Sequence, residues 1–257
     1  MECLFCHPEA GKEFVRKNHN VNVELLAETE NFYVMPMVGA GTEGYLLLVS
    51  RGHYPSMADL PAKLFEELEG LLRLVKGEVR DAYGSPIVFE HGSTCSNVSC
   101  MIDHAHLHIV PVPKGFSMLK DIQYEYPMLK LKQFEDIALW SPGGAGKAFY
   151  DVESESWDGK EPEFKPFAGY LYYEEQDGTG YIHQLDTVEG FQSQYLRKVL
   201  LTRLGIDEWD WKKCVSQEQV DDTVHRLGHL REILGKSRWR VKDEEEELLA
   251  ASIVAGG

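Results

Sequence analysis

Three histidines, His104, His106 and His108, alternate with small or apolar residues ahead of Pro111. A period of two is typical of a β-strand, in which successive side chains point to opposite faces. The three imidazoles are therefore predicted to share one face of a strand. A core face is predicted for the residues between and after them: Ala105, Leu107 and Ile109. Imidazole fills a core poorly unless both ring nitrogens have partners, so this strand predicts a chemical site.

The histidine strand has two chemical interpretations, because a neutral imidazole can be a metal ligand or a nucleophile. In the first, the strand binds a metal or is merely solvated. In the second, the middle residue, His106, is a nucleophile held between two helper histidines. The stretch from His104 to Val110 places the alternating histidines before two apolar residues. It thereby resembles, without a gap, the motif of the histidine triad (HIT) hydrolases and transferases.

The resemblance implies a reaction and a role for each histidine. His106 would attack the α-phosphorus of a nucleotide, and water or another acceptor would resolve the covalent nucleotidyl-histidine. His108 would donate to a non-bridging oxygen or fix the pocket, and His104 would orient the leaving group. The implied substrates are dinucleoside polyphosphates, nucleoside phosphoramidates or similar conjugates. Two other classes stay open: a non-catalytic nucleotide- or RNA-linked scaffold with this fold, and a zinc-binding protein whose triad supplies ligands.

A second feature is the pair Cys3 and Cys6, since Cys-x-x-Cys is half of a tetrahedral zinc site. A redox pair is the alternative, but that motif normally opens a helix after a strand, and no strand is predicted before it. The resemblance implies that His53 and His104 complete the site. Zinc would then be structural, because four protein ligands leave no open position. His104 would anchor the strand. Three rival ligands are also present: His7, Cys95 and Cys100.

Substrate contacts are predicted in two places. Residues 93–103, which lead into the histidine strand, are rich in small polar side chains. The resemblance implies that they fold against the α-phosphate, with Asn97 and Ser99 as donors, and a plain polar turn is the alternative. Cys100 stands where the family usually has Gln or Ser. Phe32 is implied to line the base and ribose pocket, with ordinary strand core as the alternative.

Hydrophobic periodicity places the helices. The spacing of apolar residues predicts a long helix over 61–83. Shorter helices are predicted over 191–204 and over 216–234, the latter with Ser216 as its cap. The first of these carries Arg197, for which a phosphate or carboxylate contact and a solvated position both stay open. Residues 10–22 are polar and are predicted to form a loop.

These elements, with strand patterns between and after them, predict an α+β protein. The resemblance implies an antiparallel sheet with a long helix, followed by a C-terminal α/β extension. The predicted boundaries are a HIT domain with its zinc site at 1–113, an extension packed on that core at 114–235, and a charged tail at 236–257. The extension loosely resembles the second C-terminal module of CwfJ-type RNA-processing proteins.

Amino-acid composition limits the classes of partner and the cellular compartment that can be predicted for the protein. The 257 residues carry a net charge of −16, with 43% hydrophobic and 26% charged residues. An acidic chain argues against binding to a nucleic-acid backbone, although a local pocket can still be positive enough for a nucleotide. No apolar run is long enough for a bilayer, and the start of the chain lacks a signal pattern. Five cysteines, two with metal spacing, fit a reducing compartment, so the protein is predicted to be cytoplasmic. The resemblance also implies a homodimer, unless the extension fills that role within one chain.

Overall fold

The structure is a computed structural model that describes residues 3–93, 104–140, 168–187 and 191–236. The strands in these ranges are β1 (Ala27–Glu28), β2 (Phe32–Pro36), β3 (Leu46–Ser50), β4 (Pro86–Ser93), β5 (His106–Pro111), β6 (Leu129–Lys130), β7 (Gly169–Glu174) and β8 (Gly180–Leu185). The helices are α1 (Pro8–His19), α2 (Phe65–Tyr83), α3 (Leu119–Glu125), α4 (Tyr195–Arg203), α5 (Gln217–Leu227) and α6 (Leu230–Lys236). The predicted α+β class is confirmed.

The described strands form one antiparallel sheet in the order β1-β2-β3-β5-β4-β7-β8-β6. Strand β4 joins the N-terminal and C-terminal parts of the chain, because it pairs with β5 on one side and with β7 on the other. Phe89 of β4 therefore lies opposite both His108 and Tyr173. The strands that follow residue 113 extend the sheet that carries the histidines. The domain boundary at 113 stays a prediction.

One face of the sheet packs against α2, a helix of 19 residues. Its apolar stripe, which includes Leu68, Leu71 and Val75, is fully buried in one cluster with Leu107 and Ile109 of β5. The alternation predicted for the histidine strand is thus confirmed on its apolar side. Among the described residues, no helix is both long enough and apolar enough to cross a membrane.

The other face, called here the histidine face, carries a second buried cluster. Phe89, Tyr45 and Val110 belong to it, together with Ile122 of α3 and Leu196 of α4. Helices from the C-terminal part of the chain therefore pack on the same side of the sheet as the triad.

The helix boundaries differ from the sequence predictions in physical detail. Residues 8–19 form α1, although a loop was predicted, because none of its residues is buried and it therefore has no apolar stripe to find. Its sequence signals are instead Pro8 in the first turn and Asn20 as a left-handed cap. The long helix begins at Phe65 after a short 3₁₀ turn. The cap at Ser216 is confirmed, since its side chain accepts from the Gln219 amide.

Candidate active site and metal centre

Four predicted metal ligands meet at one end of the sheet: Cys3, Cys6, His53 and His104. Their ligand atoms all lie within 4.8 Å of one another. Nδ1 of His104 is 3.4 Å from the sulfur of Cys3 and 3.6 Å from that of Cys6. Nδ1 of His53 is 3.3 Å from the Cys6 sulfur and 3.3 Å from Nδ1 of His104.

This spacing fits a tetrahedral zinc ion. Bonds of about 2.3 Å to sulfur and about 2.0–2.1 Å to nitrogen place tetrahedral donors roughly 3.3–3.8 Å apart. The second ring nitrogen of His104 is 2.6 Å from the Ser50 carbonyl, which leaves Nδ1 free of its proton for a metal. Burial and the neighbouring Cys3 raise the pKa of Cys6 to about 11, so a cation is needed to hold Cys6 as a thiolate.

The rival ligands have different positions. His7 is exposed and lies outside the four-residue cluster. Cys95 and Cys100 fall outside the described residues.

His106 has one ring nitrogen fixed and the other left as an acceptor. Its Nδ1 lies 2.6 Å from the backbone carbonyl of His104 and donates to it. Burial lowers the pKa of His106 to about 4, so the ring is neutral near neutral pH. The residue keeps partial exposure. Nε2 of His106 is therefore unprotonated. The orientation of the ring is set by His104, whose own side chain lies among the four metal ligands.

Two rings flank His106 on the histidine face. The ring centroid of His108 lies 4.8 Å from that of His106, and the centroid of Phe5, in an edge-to-face arrangement, lies 5.4 Å from it. Phe5 stands between the two cysteines, and its carbonyl accepts from the Tyr33 hydroxyl at 2.8 Å. The segment from Cys3 to Cys6 therefore supplies two of the four candidate metal ligands and also covers one side of the His106 ring. Spacing alone does not predict this contact.

His108 is oriented by residues that the sequence did not single out for this role. The Tyr45 hydroxyl lies 2.9 Å from its Nδ1, and the Phe89 ring stacks on it at 4.7 Å. The guanidinium of Arg197 lies 5.7 Å from the centre of the Tyr45 ring. A Tyr45 hydroxyl that donates to Nδ1 of His108 places the N–H of that ring on Nε2. Burial lowers the pKa of His108 well below its ordinary value, which keeps it a neutral donor.

Arg197 is neither solvated nor directed outward as a phosphate ligand. It is 3% exposed and donates to the carbonyls of Gly39, Ala40 and Trp209. Its guanidinium lies beside the Tyr45 ring, and its hydrogen bonds connect the glycine-rich loop before β3 to α4. Gly39 has a φ of +69°, and a side chain there would meet the Trp211 carbonyl.

The predicted substrate contacts are not brought to His106 within the described residues. Phe32 is fully buried in the cluster on the α2 face, opposite the histidines. Its neighbour Tyr33 lies on the histidine side instead. All of Phe32, Tyr33 and Val34 are buried, so alternation could not tell which residue faces the site. Asn97 and Ser99 lie outside the described residues, and their roles stay predictions.

Comparisons with known proteins place these features in context. No protein-family model matches the chain. The chain is 30% identical over 227 residues to zinc finger CCCH domain-containing protein 64 of Arabidopsis thaliana, covering 85% of this chain and 33% of that protein. It is 24% identical over 229 residues to CWF19-like protein 1 of Homo sapiens, covering 87% and 36%. The chain thus spans about a third of the length of the curated relatives it matches.

Solved structures match a smaller part of the chain. A Zn-bound histidine triad family protein from Mycobacterium smegmatis is 22% identical with a TM-score of 0.34, covering 45% of this chain and 78% of that chain. The names of these matches agree with the predicted resemblance: the solved structure is a histidine triad family protein, and the curated relative is CWF19-like. The curated similarity of 227 residues or more also extends beyond the triad strand into the C-terminal part.

Proposed function

We propose that this protein is a nucleotide hydrolase or nucleotidyl transferase that acts at an α-phosphate through a covalent intermediate on His106. The observation that carries the proposal is the state of this ring. Its Nδ1–H is held by the His104 carbonyl at 2.6 Å, its Nε2 is therefore unprotonated, and the residue is partly exposed. A neutral imidazole with a fixed tautomer is an activated nucleophile for a phosphoryl centre.

The first chemical step forms the nucleotidyl-histidine. The Nε2 lone pair of His106 attacks the α-phosphorus, and the bond from phosphorus to the leaving-group oxygen or nitrogen breaks. The leaving group takes that electron pair and a proton from solvent. The charge on the non-bridging oxygens is met by the Nε2–H of His108, whose Nδ1 is held by Tyr45 at 2.9 Å.

The second step releases the nucleotide. Water or another acceptor attacks phosphorus from the side that the leaving group vacated, and the P–N bond breaks. The electron pair returns to Nε2 of His106, and the proton of the acceptor is lost to solvent. His106 is thereby regenerated without any change in its bond to the His104 carbonyl.

A zinc ion bound by Cys3, Cys6, His53 and His104 would serve structure. Four protein ligands fill a tetrahedral shell, so the ion would supply rigidity to the start of β5. His104 connects the metal ligands to the proposed nucleophile, because its ring lies among those ligands and its backbone carbonyl accepts from Nδ1 of His106. We propose that Asn97 and Ser99 donate to the α-phosphate, and that the substrates are dinucleoside polyphosphates, nucleoside phosphoramidates or similar conjugates.

A non-catalytic nucleotide- or RNA-linked scaffold is the second candidate. The similarity to CWF19-like protein 1, which covers 87% of this chain, is what favours it. The two candidates differ at His106, because a scaffold has no need of a free imidazole nitrogen there.

Turnover by the full chain separates them. Diadenosine tetraphosphate and adenosine phosphoramidate are incubated with the wild type, with His106→Ala and with His225→Ala, an exposed histidine on α5. We expect His106→Ala to lose turnover roughly 1,000-fold or more while His225→Ala keeps it. Binding of AMP without turnover by the wild type would favour the scaffold.

A further inference from the structure

A fourth histidine, His91, lies on the strand next to the triad. It is on β4, two residues beyond Phe89, and Phe89 lies opposite His108 of β5. Residues two apart on a strand share a face, so His91 is on the histidine face. No role was predicted for this residue.

The antiparallel register brings His91 towards His106. Moving two residues along β4 from Phe89 corresponds to moving two residues back along β5 from His108, which leads to His106. Adjacent strands lie about 4.7–4.9 Å apart. The two rings are close enough to affect each other, because His106 contributes, after burial, to lowering the pKa of His91 to about 4. After burial, His91 is also one of the groups that lower the pKa of His108.

The Nε2 atom of His91 is buried, and it has no hydrogen-bond partner among the described residues. A buried polar atom without a partner costs about 1–3 kcal/mol, so native proteins normally supply one. The hydroxyl of Tyr195 on α4 is in the same condition. Both residues contact Phe191, with ring centroids at 4.5 Å and 5.7 Å. Two such atoms around one aromatic ring point to a polar ligand beside the triad.

We propose that His91 is a fourth histidine of the active site and that its Nε2–H donates a hydrogen bond to a phosphate oxygen of the substrate. A neutral imidazole has one N–H, and phosphate oxygens are acceptors, so Nε2 is the protonated nitrogen. No bond forms or breaks at His91. Its N–H stabilises the negative charge on the phosphate oxygen during the reaction. The inference rests on the proposed function, because it assumes a phosphate ester at His106.

The geometry then gives His106 a donor on each side. His108 lies along its own strand at 4.8 Å, and His91 lies on the neighbouring strand. Donors that are already oriented stabilise a phosphoryl transition state without reorganising. Phe191 packs against the His91 ring, so the C-terminal part of the chain helps to position this donor.

The first test compares the rate of nucleotidyl adduct formation in His91→Phe, His91→Gln and the matched control His225→Phe. Phenylalanine keeps a ring beside Phe191 but cannot donate, whereas glutamine keeps a donor. We expect a roughly 10–100-fold loss in His91→Phe, a smaller loss in His91→Gln and none in the control. Adduct formation by His91→Phe at the wild-type rate would overturn the proposal.

A second measurement uses the wild-type chain, so it does not depend on variants that fold or on turnover. Histidine ring nitrogens are observed by ¹⁵N NMR while AMP or inorganic phosphate is added. We expect the His91 Nε2 resonance to shift together with those of His106 and His108. A titration that shifts His106 and leaves His91 unchanged would overturn the role of His91 alone. A wild type that binds AMP with these shifts but forms no adduct would sustain the His91 contact and remove the covalent mechanism.

Discussion

The hydroxyl of Tyr45 lies 2.9 Å from Nδ1 of His108, and the two residues are 63 positions apart in the chain. Tyr45 is 1% exposed, and burial raises its pKa to about 12, so the hydroxyl keeps its proton. The hydroxyl therefore has a proton to donate to Nδ1 of His108. With a donor at Nδ1, the N–H of His108 is on Nε2, the nitrogen proposed to meet the phosphate.

Tyr45→Phe removes the hydroxyl and leaves the ring. We expect turnover to fall about 10-fold, since His108 is free to adopt the other tautomer, and stability to fall by about 1 kcal/mol. The ¹⁵N shifts of His108 report the tautomer directly. The control is Tyr124→Phe, because Tyr124 is 90% exposed. Unchanged His108 shifts in Tyr45→Phe would show that another group sets the tautomer.

Zinc content tests the four-residue cluster. Cys3→Ala removes a ligand, so we expect bound zinc to fall from about one ion per chain to well below that and the melting temperature to fall with it. Elemental analysis and a thermal melt measure the two. Cys214→Ala is the matched control, because the Cys214 sulfur lies outside the cluster and contacts the Glu208 carbonyl at 3.2 Å. Full zinc content in Cys3→Ala would mean that the ion is held elsewhere.

Arg197 tests how the C-terminal helices are held to the sheet. Arg197→Met leaves three backbone carbonyls without their donor, so we expect a loss of about 3 kcal/mol or more in the free energy of unfolding, measured in denaturant. Arg203→Met removes a half-exposed ion pair with Asp121 at 3.4 Å and should cost about 1 kcal/mol or less. Equal losses in the two variants would contradict the structural role given to Arg197.

Glu90 makes stability depend on pH. Its carboxylate accepts from the Met57 amide at 3.0 Å and from the Tyr170 hydroxyl, and burial raises its pKa from 4.5 to about 8. Between these values the folded protein keeps a proton that the unfolded chain releases, so stability falls as pH rises through the window.

Glu90→Gln has no such proton. Its melting temperature should therefore fall less than that of the wild type between about pH 5 and about pH 9. Glu66→Gln, at an exposed position on α2, should follow the wild type. Parallel curves for wild type and Glu90→Gln would remove Glu90 as the cause.

Local spacing predicted the parts of the site that lie on single elements. The alternation of His106 and His108 with Leu107 and Ile109 fixed both faces of β5, because a strand has a period of two. The metal cluster was predicted from Cys-x-x-Cys together with the resemblance. The face of the sheet on which Phe32 lies could not be predicted, because its neighbours on β2 are also buried and the strand shows no alternation.

Long-range contacts had no local signal. Tyr45 meets His108 across 63 residues, and Arg197 meets the Gly39 carbonyl across 158. The first contact depends on the pairing of β3 with β5, and the second on how α4 packs on the sheet. No spacing rule for helices or strands contains that information. His91 could have been noticed as a histidine near the end of a predicted strand that precedes the triad, but only the register of β4 with β5 places it beside His106.

The covalent state of His106 is the central claim. The wild-type chain is mixed with diadenosine tetraphosphate, quenched within the first turnover and digested, and the peptide that contains His106 is weighed. We predict an added nucleotidyl group that is released by acid and retained in base, and its absence in His106→Gly. Turnover by the wild type without this adduct, or equal turnover by His106→Gly, would contradict the account.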